Sequence, residues 1–426
     1  MKSFFKQKKN TAVVLSALSC GLGQFYNKQW LKGSVFLGLQ IAFIIAFKDL
    51  INMGLWGIVT LGTNVERDHS IFLLVEGIIA LIVIGFGLLI YAVNLYDSYY
   101  NGRKRDRGEK LNTVSQQFHH VVDKGFPYLI LSPGFFLLIF AVVFPLIFMV
   151  LLSFTNYSLY NSPPAKLVDW VGFQNFIDMF KMKVWRDTFF SVLSWTIIWT
   201  VVATTGQIII GIGIAVILNQ PDLKGKAIFR TLFILPWAVP GFVSILIFAG
   251  MFNETFGTIN KDILSIFGLG HIPWLTDPFW TRIAVILVQF WLGFPFIMAM
   301  TTGVLQSIPR ELYEAATVDG ASSFQKFKSI TLPMILFAIS PILITQYTFN
   351  FNNFNVIYLF NGGGPAAPGQ NAGSTDILIS WVYGLTMTSA QYSKAAAITV
   401  LLSIIIMTIA LFQFRRTKSF KEEDMM

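Results

Sequence analysis

The chain has 426 residues, 54% of them hydrophobic and only 12% charged, with a mean hydropathy of +0.63. Soluble domains carry about 25% charge, whereas here 42 Phe and 11 Trp stand in long apolar runs, several past the ~18 residues that mark a membrane-crossing helix. A soluble fold is excluded, and a net charge of +9 is met more simply by basic cytoplasmic loops than by nucleic acid.

A single cysteine, Cys20, rules out an intrachain disulfide and a cysteine metal site. His69, His119, His120 and His271 are scattered, so neither a metal centre nor a catalytic constellation is expected. The fold class that follows is an all-α polytopic membrane protein.

In chain order, residues 11–22 are apolar but too short to cross, and read as an interfacial or re-entrant helix. Lysines ahead of them and Leu18-Ser19-Cys20 have some look of a lipoprotein signal. Cleavage there would leave the charge bias of the later loops unexplained, so the segment is read as retained. Eight transmembrane helices are predicted, over 31–50, 71–96, 127–153, 188–218, 229–252, 281–305, 334–358 and 394–414. With both termini inside, the inner segments hold 22 of the 31 Lys and Arg and the outer ones 9. That is the bias the positive-inside rule expects, and it places both termini in the cytoplasm.

The basic loop 98–126 is a natural boundary. Residues 1–126 read as an interfacial segment, a two-helix hairpin and that loop; 127–187 as the third span with a short outer loop. Residues 188–415 form the transmembrane core, and 416–426 a cytoplasmic tail.

Between the sixth and seventh spans, residues 307–333 predict a helix, a turn and a second helix. Ser307 is expected to cap the first helix, with Pro309 in its first turn. Gly320 supplies a positive-φ stop, and Ser322 with Gln325 has capping-box spacing. Pro333 is expected to end or kink the second helix. Ala315 and Ala316 make a narrow helix face suited to docking in a groove; on local physics alone, an ordinary connection between spans is an equal reading.

Glu314-Ala315-Ala316, then Asp319-Gly320-Ala321 and on to Phe327, Ile330, Leu332 and Pro333, resembles the EAA loop of bacterial ABC-importer permeases. Further segments resemble the core of maltose and maltodextrin permeases: Ile234-Leu235-Pro236-Trp237-Ala238-Val239-Pro240, Trp291-Leu292-Gly293-Phe294-Pro295, Phe349-Asn350-Phe351-Asn352-Asn353-Phe354 and Asn361-Gly362-Gly363-Gly364-Pro365. The chain is thus similar to the MalF-like permease subunits, and the short loop after the third span matches their Gram-positive members. Gly21-Leu22-Gly23-Gln24-Phe25-Tyr26-Asn27 is a weaker sign of the same kind. The resemblance implies a type I ABC importer permease that couples to a cytoplasmic ATPase through Glu314, Ala315, Ala316, Asp319 and Gly320. It also implies a MalG-like second permease, two ATPase copies, an extracellular sugar-binding lipoprotein, and a place in the plasma membrane.

Gly225-Lys226 is followed by Ala227 and lacks the upstream glycine of a P-loop, so no cofactor is expected on this chain and ATP with Mg belongs to the ATPase. The chain itself is no enzyme. Nor do the later spans hold a carboxylate at membrane depth, which argues against ion coupling.

The seventh span points to the cargo. Gln346, Asn350, Asn352, Asn353 and Asn355 would each cost roughly 1–3 kcal/mol if left unpaired in hydrocarbon, so this helix faces protein or a polar cavity. At helical spacing Gln346, Asn350, Asn353 and Ile357 share a face, while Asn352 and Asn355 are expected to bond neighbouring helices. Trp237, Gly241, Ser244 and Phe248 share a face on the fifth span, as do Gln289, Gly293, Phe296 and Met300 on the sixth. Carboxamides beside aromatic rings suit a neutral, hydroxyl-rich ligand.

Positions matching Trp237, Gly241, Gln289, Leu292, Gly293, Gln346, Asn350 and Asn353 contact sugar in the maltose-type permease, so the resemblance implies a substrate site there. Trp237, Gly241, Gln289 and Gln346 stand where the enterobacterial pattern has Tyr, Ser, Asn and Ser. Malto-oligosaccharide import is the expected function, with a galactan- or cyclodextrin-derived oligosaccharide as the alternative within the class. An ion-coupled sugar transporter and an assembly protein are more distant readings.

Overall fold

The structure, a computed structural model, describes residues 7–111, 114–220 and 223–416. The expected tail beyond Arg416 lies outside the described residues. Among them the chain is helical, with isolated bridges and no strand. It divides into two compact units, Met1–Gly172 and Phe173–Met426.

The first unit holds α1 (Lys8–Leu18), α2 (Leu22–Tyr26), α3 (Trp30–Thr60), α4 (Ser70–Asp106), α5 (Val114–Leu138) and α6 (Phe144–Leu152). Helices α3 and α4 form the expected hairpin but outrun their predicted ends, 50 and 96, because charged residues flank a helix without stopping it. Small residues let them close: a Cβ on Gly54 would press on the Ala80 methyl at 2.6 Å, and one on Gly57 would meet Leu73 at 3.0 Å.

Helices α1 and α2 do not cross; they pack on the basic end of α4. The Asp106 carboxylate accepts from the first amides of α1, Lys8 at 2.8 Å and Lys9 at 3.0 Å, where a helix leaves its donors unpaired. Gln24, Asn27 and Asn94 are fully buried, and Gln24 donates to the Asn94 carbonyl at 3.0 Å. The Gly21–Asn27 signature therefore encodes a polar latch, closed by the Lys32–Asp97 ion pair at 2.7 Å. At the other end of the hairpin, the Asp68 carboxylate accepts from Thr63 and Asn64 amides. Those bonds hold its pKa below the ordinary aspartate value.

The second unit holds α7 (Gln174–Lys181), α8 (Lys183–Leu218), α9 (Lys226–Ala238), α10 (Gly241–Met251), α11 (Pro278–Ser307), α12 (Arg310–Val318), α13 (Ser323–Lys326), α14 (Leu332–Phe351), α15 (Phe354–Asn361), α16 (Leu378–Met387) and α17 (Tyr392–Arg416). Its backbone is the α8–α11 pair. Gly206 faces the Phe290 ring and Gly211 faces Ile297, so side chains of α11 fill the space that a Cβ on α8 would take. Thr188, Thr196, Thr200 and Thr204 run down α8, all buried. Thr188, Thr196 and Thr200 satisfy a carbonyl one turn back, and Thr188 and Thr196 also accept from the chain outside the helix.

That outside chain is the connection 362–377 between α15 and α16. Trp195 donates its indole N–H to the Thr375 carbonyl at 3.0 Å, and the Arg282 guanidinium, stacked 4.6 Å from the Trp195 ring, donates to the Ser374 carbonyl at 2.9 Å. Leu378 N–H reaches the Thr196 hydroxyl at 3.1 Å. The Asp376 carboxylate is buried against Gly363, and accepts from the Gly373 amide and the Ser380 hydroxyl.

Among the described residues six helices are long and apolar enough to cross a membrane. They match six of the eight predicted spans. The fifth is no straight span: α9 and α10 meet at a 94° bend. The eighth falls on α17, whose 25 residues Tyr392–Arg416 carry an apolar run that continues to Phe414. The seventh is interrupted, since α14 ends at Phe351 and Asn353, with φ −78° and ψ 75°, breaks the helix before α15. Two π-helical turns, Ile139–Val143 and Phe327–Thr331, each run into a proline, Pro145 or Pro333. A wide turn accommodates the missing N–H, so Pro333 neither ends nor sharply kinks its helix.

Candidate functional site

The elbow of α9 and α10 forms one wall of a cavity of about 590 Å³. Pro236 lacks the N–H that would close on Leu232, and Pro240 lacks the one that would close on Pro236. Val239, with ψ 133°, leaves the helix, and α10 restarts at Gly241. Trp237 stands at the bend with its ring edge-on to Phe296, 5.9 Å between centroids. Gly241 faces open space, so the absent side chain widens the cavity.

Helix α11 and the α14–α15 break form the other walls. Seven of the eight residues expected to bind substrate line the cavity: Trp237, Gly241, Gln289, Leu292, Gly293, Gln346 and Asn353. Asn350 does not. It is fully buried behind them, donating to the Thr204 hydroxyl at 2.9 Å while its carbonyl accepts from Trp199. Asn355, expected to bond a neighbouring helix, lines the cavity instead, because the break at Asn353 resets the helical phase.

The bend separates Trp237 from Ser244 and Phe248, so the continuous face expected of the fifth span does not exist. Phe296 reaches the cavity, whereas Met300 packs into the core with Ile335 and Ile297.

The carboxamides form a connected row. Asn353 donates to Gln289 at 2.9 Å, Gln289 to Gln207 at 3.0 Å, and Gln207 to Gln346 at 3.3 Å. Gln207 and Thr204, both on α8, are the members that sequence reasoning missed. The signal was present: Gln207 is the one carboxamide in the charge-free run 188–218, and a lone amide there is costly unless paired. Among the described residues no charged side chain lines the cavity. Its chemistry is therefore hydrogen bonding by uncharged amides beside aromatic faces, as carbohydrates require.

The loop after α11 presents a second candidate site. Ser307 ends α11 and bonds back to Val304; it caps nothing, and Pro309 occupies the cap position of α12, one residue before the expected first turn. Gly320 adopts φ +77°, and the amides of Gly320 and Ala321 close on Thr317 and Ala316, a Schellman stop. Ser322 and Gln325 form the expected capping box.

Tyr313 ties α12 to the start of the next membrane helix through Thr331, at 2.9 Å. Glu314, Ala315, Asp319 and Gly320 are exposed and Ala316 is half-buried. Val318, 89% exposed, and Phe324, 70% exposed, leave an apolar tip without cover from this chain.

Outside the membrane, the connection between α10 and α11 folds around Glu254. Burial acts to raise its pKa, but hydrogen bonds from the Thr276 hydroxyl and the Leu275 and Thr276 amides, with His271 nearby, outweigh it and leave the carboxyl below its ordinary value. Among the described residues no cluster of His, Cys, Asp or Glu has the arrangement of a metal site.

A helical chain with a half-open polar cavity at a broken helix, and an exposed apolar loop at the end of α11, belongs to the class of multi-pass membrane transport proteins. The family described as binding-protein-dependent transport system inner membrane component matches residues 207–419. The chain is 60% identical to the galactooligosaccharides transport system permease protein GanP of Bacillus subtilis, over 98% of its own length and 100% of that protein. It is 48% identical to the maltodextrin transport system permease protein MdxF of the same organism, over 99% of this chain and 98% of that one. A solved bacterial ABC transporter that imports the acidic polysaccharide alginate superposes with a TM-score of 0.58 at 22% identity, covering 71% of this chain and 98% of that one; this is a likeness of fold. The chain belongs to the binding-protein-dependent transport permeases, as a membrane subunit of a sugar ABC importer of the maltodextrin permease type.

Proposed function

We propose that this chain forms the path for a neutral oligosaccharide in an ATP-driven importer, with galacto-oligosaccharides as its cargo. The observation that carries the reading is the cavity at the α9–α10 elbow, where uncharged amides of Gln289, Gln346 and Asn353 sit beside the rings of Trp237 and Phe296. Amides serve sugar hydroxyls, the rings cover apolar sugar faces, and the absence of charge suits a neutral chain. Leu292, Gly241 and Gly293 give it room.

The choice of galacto-oligosaccharide follows the higher identity, 60% against 48%. Malto-oligosaccharides, the cargo in the second relative's name, are the second reading, supported by the matched residues of the maltose-type site.

Energy enters through the loop at 310–321. Glu314, Ala315, Ala316, Asp319 and Gly320 would seat α12 in a cleft of a cytoplasmic ATPase, two copies of which bind ATP and Mg; this chain needs no cofactor. A second permease subunit covers the open side of the cavity, and an extracellular sugar-binding lipoprotein delivers the cargo. Both termini lie in the cytoplasm of a Gram-positive cell. Access alternates as the ATPase dimer closes and moves α12.

The test is uptake of labelled galactotriose and maltotetraose by cells with and without the gene. Loss of galactotriose uptake alone supports the favoured cargo; loss of maltotetraose uptake alone transfers the assignment to maltodextrins. Retention of both overturns the oligosaccharide reading.

A further inference from the structure

The row of amides beside the cavity has a direction, and one residue that touches no cavity surface sets it. Asn353 uses its Nδ2 on two acceptors, Gln289 Oε1 at 2.9 Å and Asn350 Oδ1 at 3.3 Å. Gln289 passes the sense on through Nε2 to Gln207 Oε1 at 3.0 Å, and Gln207 through Nε2 to Gln346 Oε1 at 3.3 Å. The two inner amides, Gln289 and Gln207, each accept on one side and donate on the other. The ends of the row differ: at one the Asn353 oxygen is left as an acceptor, at the other the Gln346 nitrogen as a donor. A sugar hydroxyl both donates and accepts, so freely rotating amides would take it in either sense. A polarised row would not.

We propose that Gln207 is a positioning residue that fixes this polarity and thereby the hydroxyl pattern the cavity accepts. The inference rests on the cavity being the sugar site. Gln207 is fully buried, and it stands between the two ends as the sole link from Gln289 to Gln346 among the described residues.

The facing helix is shaped for it independently of these bonds. A Cβ on Gly293 would fall on the Gln207 amide oxygen, so α11 leaves a notch for the amide head and holds it in place. Packing alone does not require an amide there, since a methionine of similar length fills the same space without a polar group to satisfy. With the amide gone, Gln289 loses its acceptor and Gln346 its donor. Both heads can then turn, and the ends of the row no longer differ.

The experiment is equilibrium binding of labelled galactotriose, and of its monodeoxy analogues, to the purified full importer without its binding protein. Wild type, Gln207→Met, Gln207→Glu and Trp237→Ala are compared. The expected result for Gln207→Met is binding about tenfold weaker, together with loss of the penalty that wild type shows for at least one missing hydroxyl. Gln207→Glu keeps an acceptor for Gln289 and, when ionised, cannot donate to Gln346. Measured at high pH it is expected to lose discrimination at one hydroxyl, which returns at low pH where the buried carboxyl is protonated and donates; it carries the test if the methionine variant does not assemble.

Unchanged binding in both Gln207 variants, or weakening with every deoxy penalty kept, overturns the proposal while Trp237→Ala still weakens binding. If Trp237→Ala also binds as wild type does, the cavity is not the sugar site and both readings fall.

Discussion

At the scale of single residues, the most demanding position is Gly293, because its missing Cβ is space used by another helix. Gly293→Ala is expected to lower oligosaccharide uptake at least as much as loss of the Gln207 amide, since the methyl group displaces that head. Near-normal transport kinetics in this variant would show that the notch has slack. Asn350 acts differently. Asn350→Ala removes the donor to Thr204 and the acceptor for Asn353 while leaving the cavity wall standing. A loss of about 1–3 kcal/mol is expected from such unpaired buried groups, read as a lower melting temperature of the purified complex, with weaker uptake as the secondary effect.

Glu254 gives a pH dependence. Its carboxyl sits below its ordinary value, so the folded state favours the charged form. That contribution is fully present above the ordinary glutamate pKa, near 4.3, and is lost as the pH falls through the lower folded value. Glu254→Gln is expected to flatten the stability difference between neutral and acid conditions, measured by thermal unfolding at a series of pH values. An unchanged slope would assign the acid sensitivity to other groups.

At the scale of elements, the loop after α11 was almost wholly legible. A glycine at a helix end and a Ser-x-x-Gln pair are local rules, and Gly320, Ser322 and Gln325 obey them. Ser307 failed because α11 runs on through it, and the end of a long membrane helix is set by the bilayer and packing more than by a capping residue. The spans were legible by apolar length, the breaks were not. Prolines 236 and 240 mark a weak point in the helix, yet how far the chain turns there, 94°, depends on packing against other helices, which one segment's sequence does not contain. The break at Asn353 was hidden for the same reason, and it is why Asn355 faced the unexpected way.

On the coupling loop, Gly320→Arg places a side chain in left-handed backbone at a cost of about 1–2 kcal/mol, and puts bulk at an exposed tip. The expected outcome is a chain that still inserts in the membrane, with sugar-stimulated ATP hydrolysis abolished. Normal stimulation would remove this loop from the coupling path.

At the scale of the whole molecule, the second unit is a permease core with one side of its cavity uncovered. Trp237 and Phe242 are each 58% exposed and Phe349 is 61% exposed, where a buried site would enclose them. The proposed second permease is the natural cover. Phe242→Asp is therefore expected to reduce co-purification of that subunit while this chain still reaches the membrane; unaltered stoichiometry would place the contact elsewhere. The first unit has a different economy, a hairpin latched by buried Gln24, Asn27 and Asn94, and sequence alone gave its motif without its purpose.

The connection 362–377 carries a further consequence, one of timing. A surface loop ordinarily opens and closes far faster than the helices it joins, and its amides trade their hydrogens with water almost freely. Here the amides of Gly373, Ser374, Thr375, Ile377 and Leu378 are all spoken for, the last of them by a threonine of α8. They are expected to exchange as slowly as the interior of α8 itself. The stretch 373–378 is thus expected to keep the clock of the helical core, releasing only when the long helices beneath it shift together.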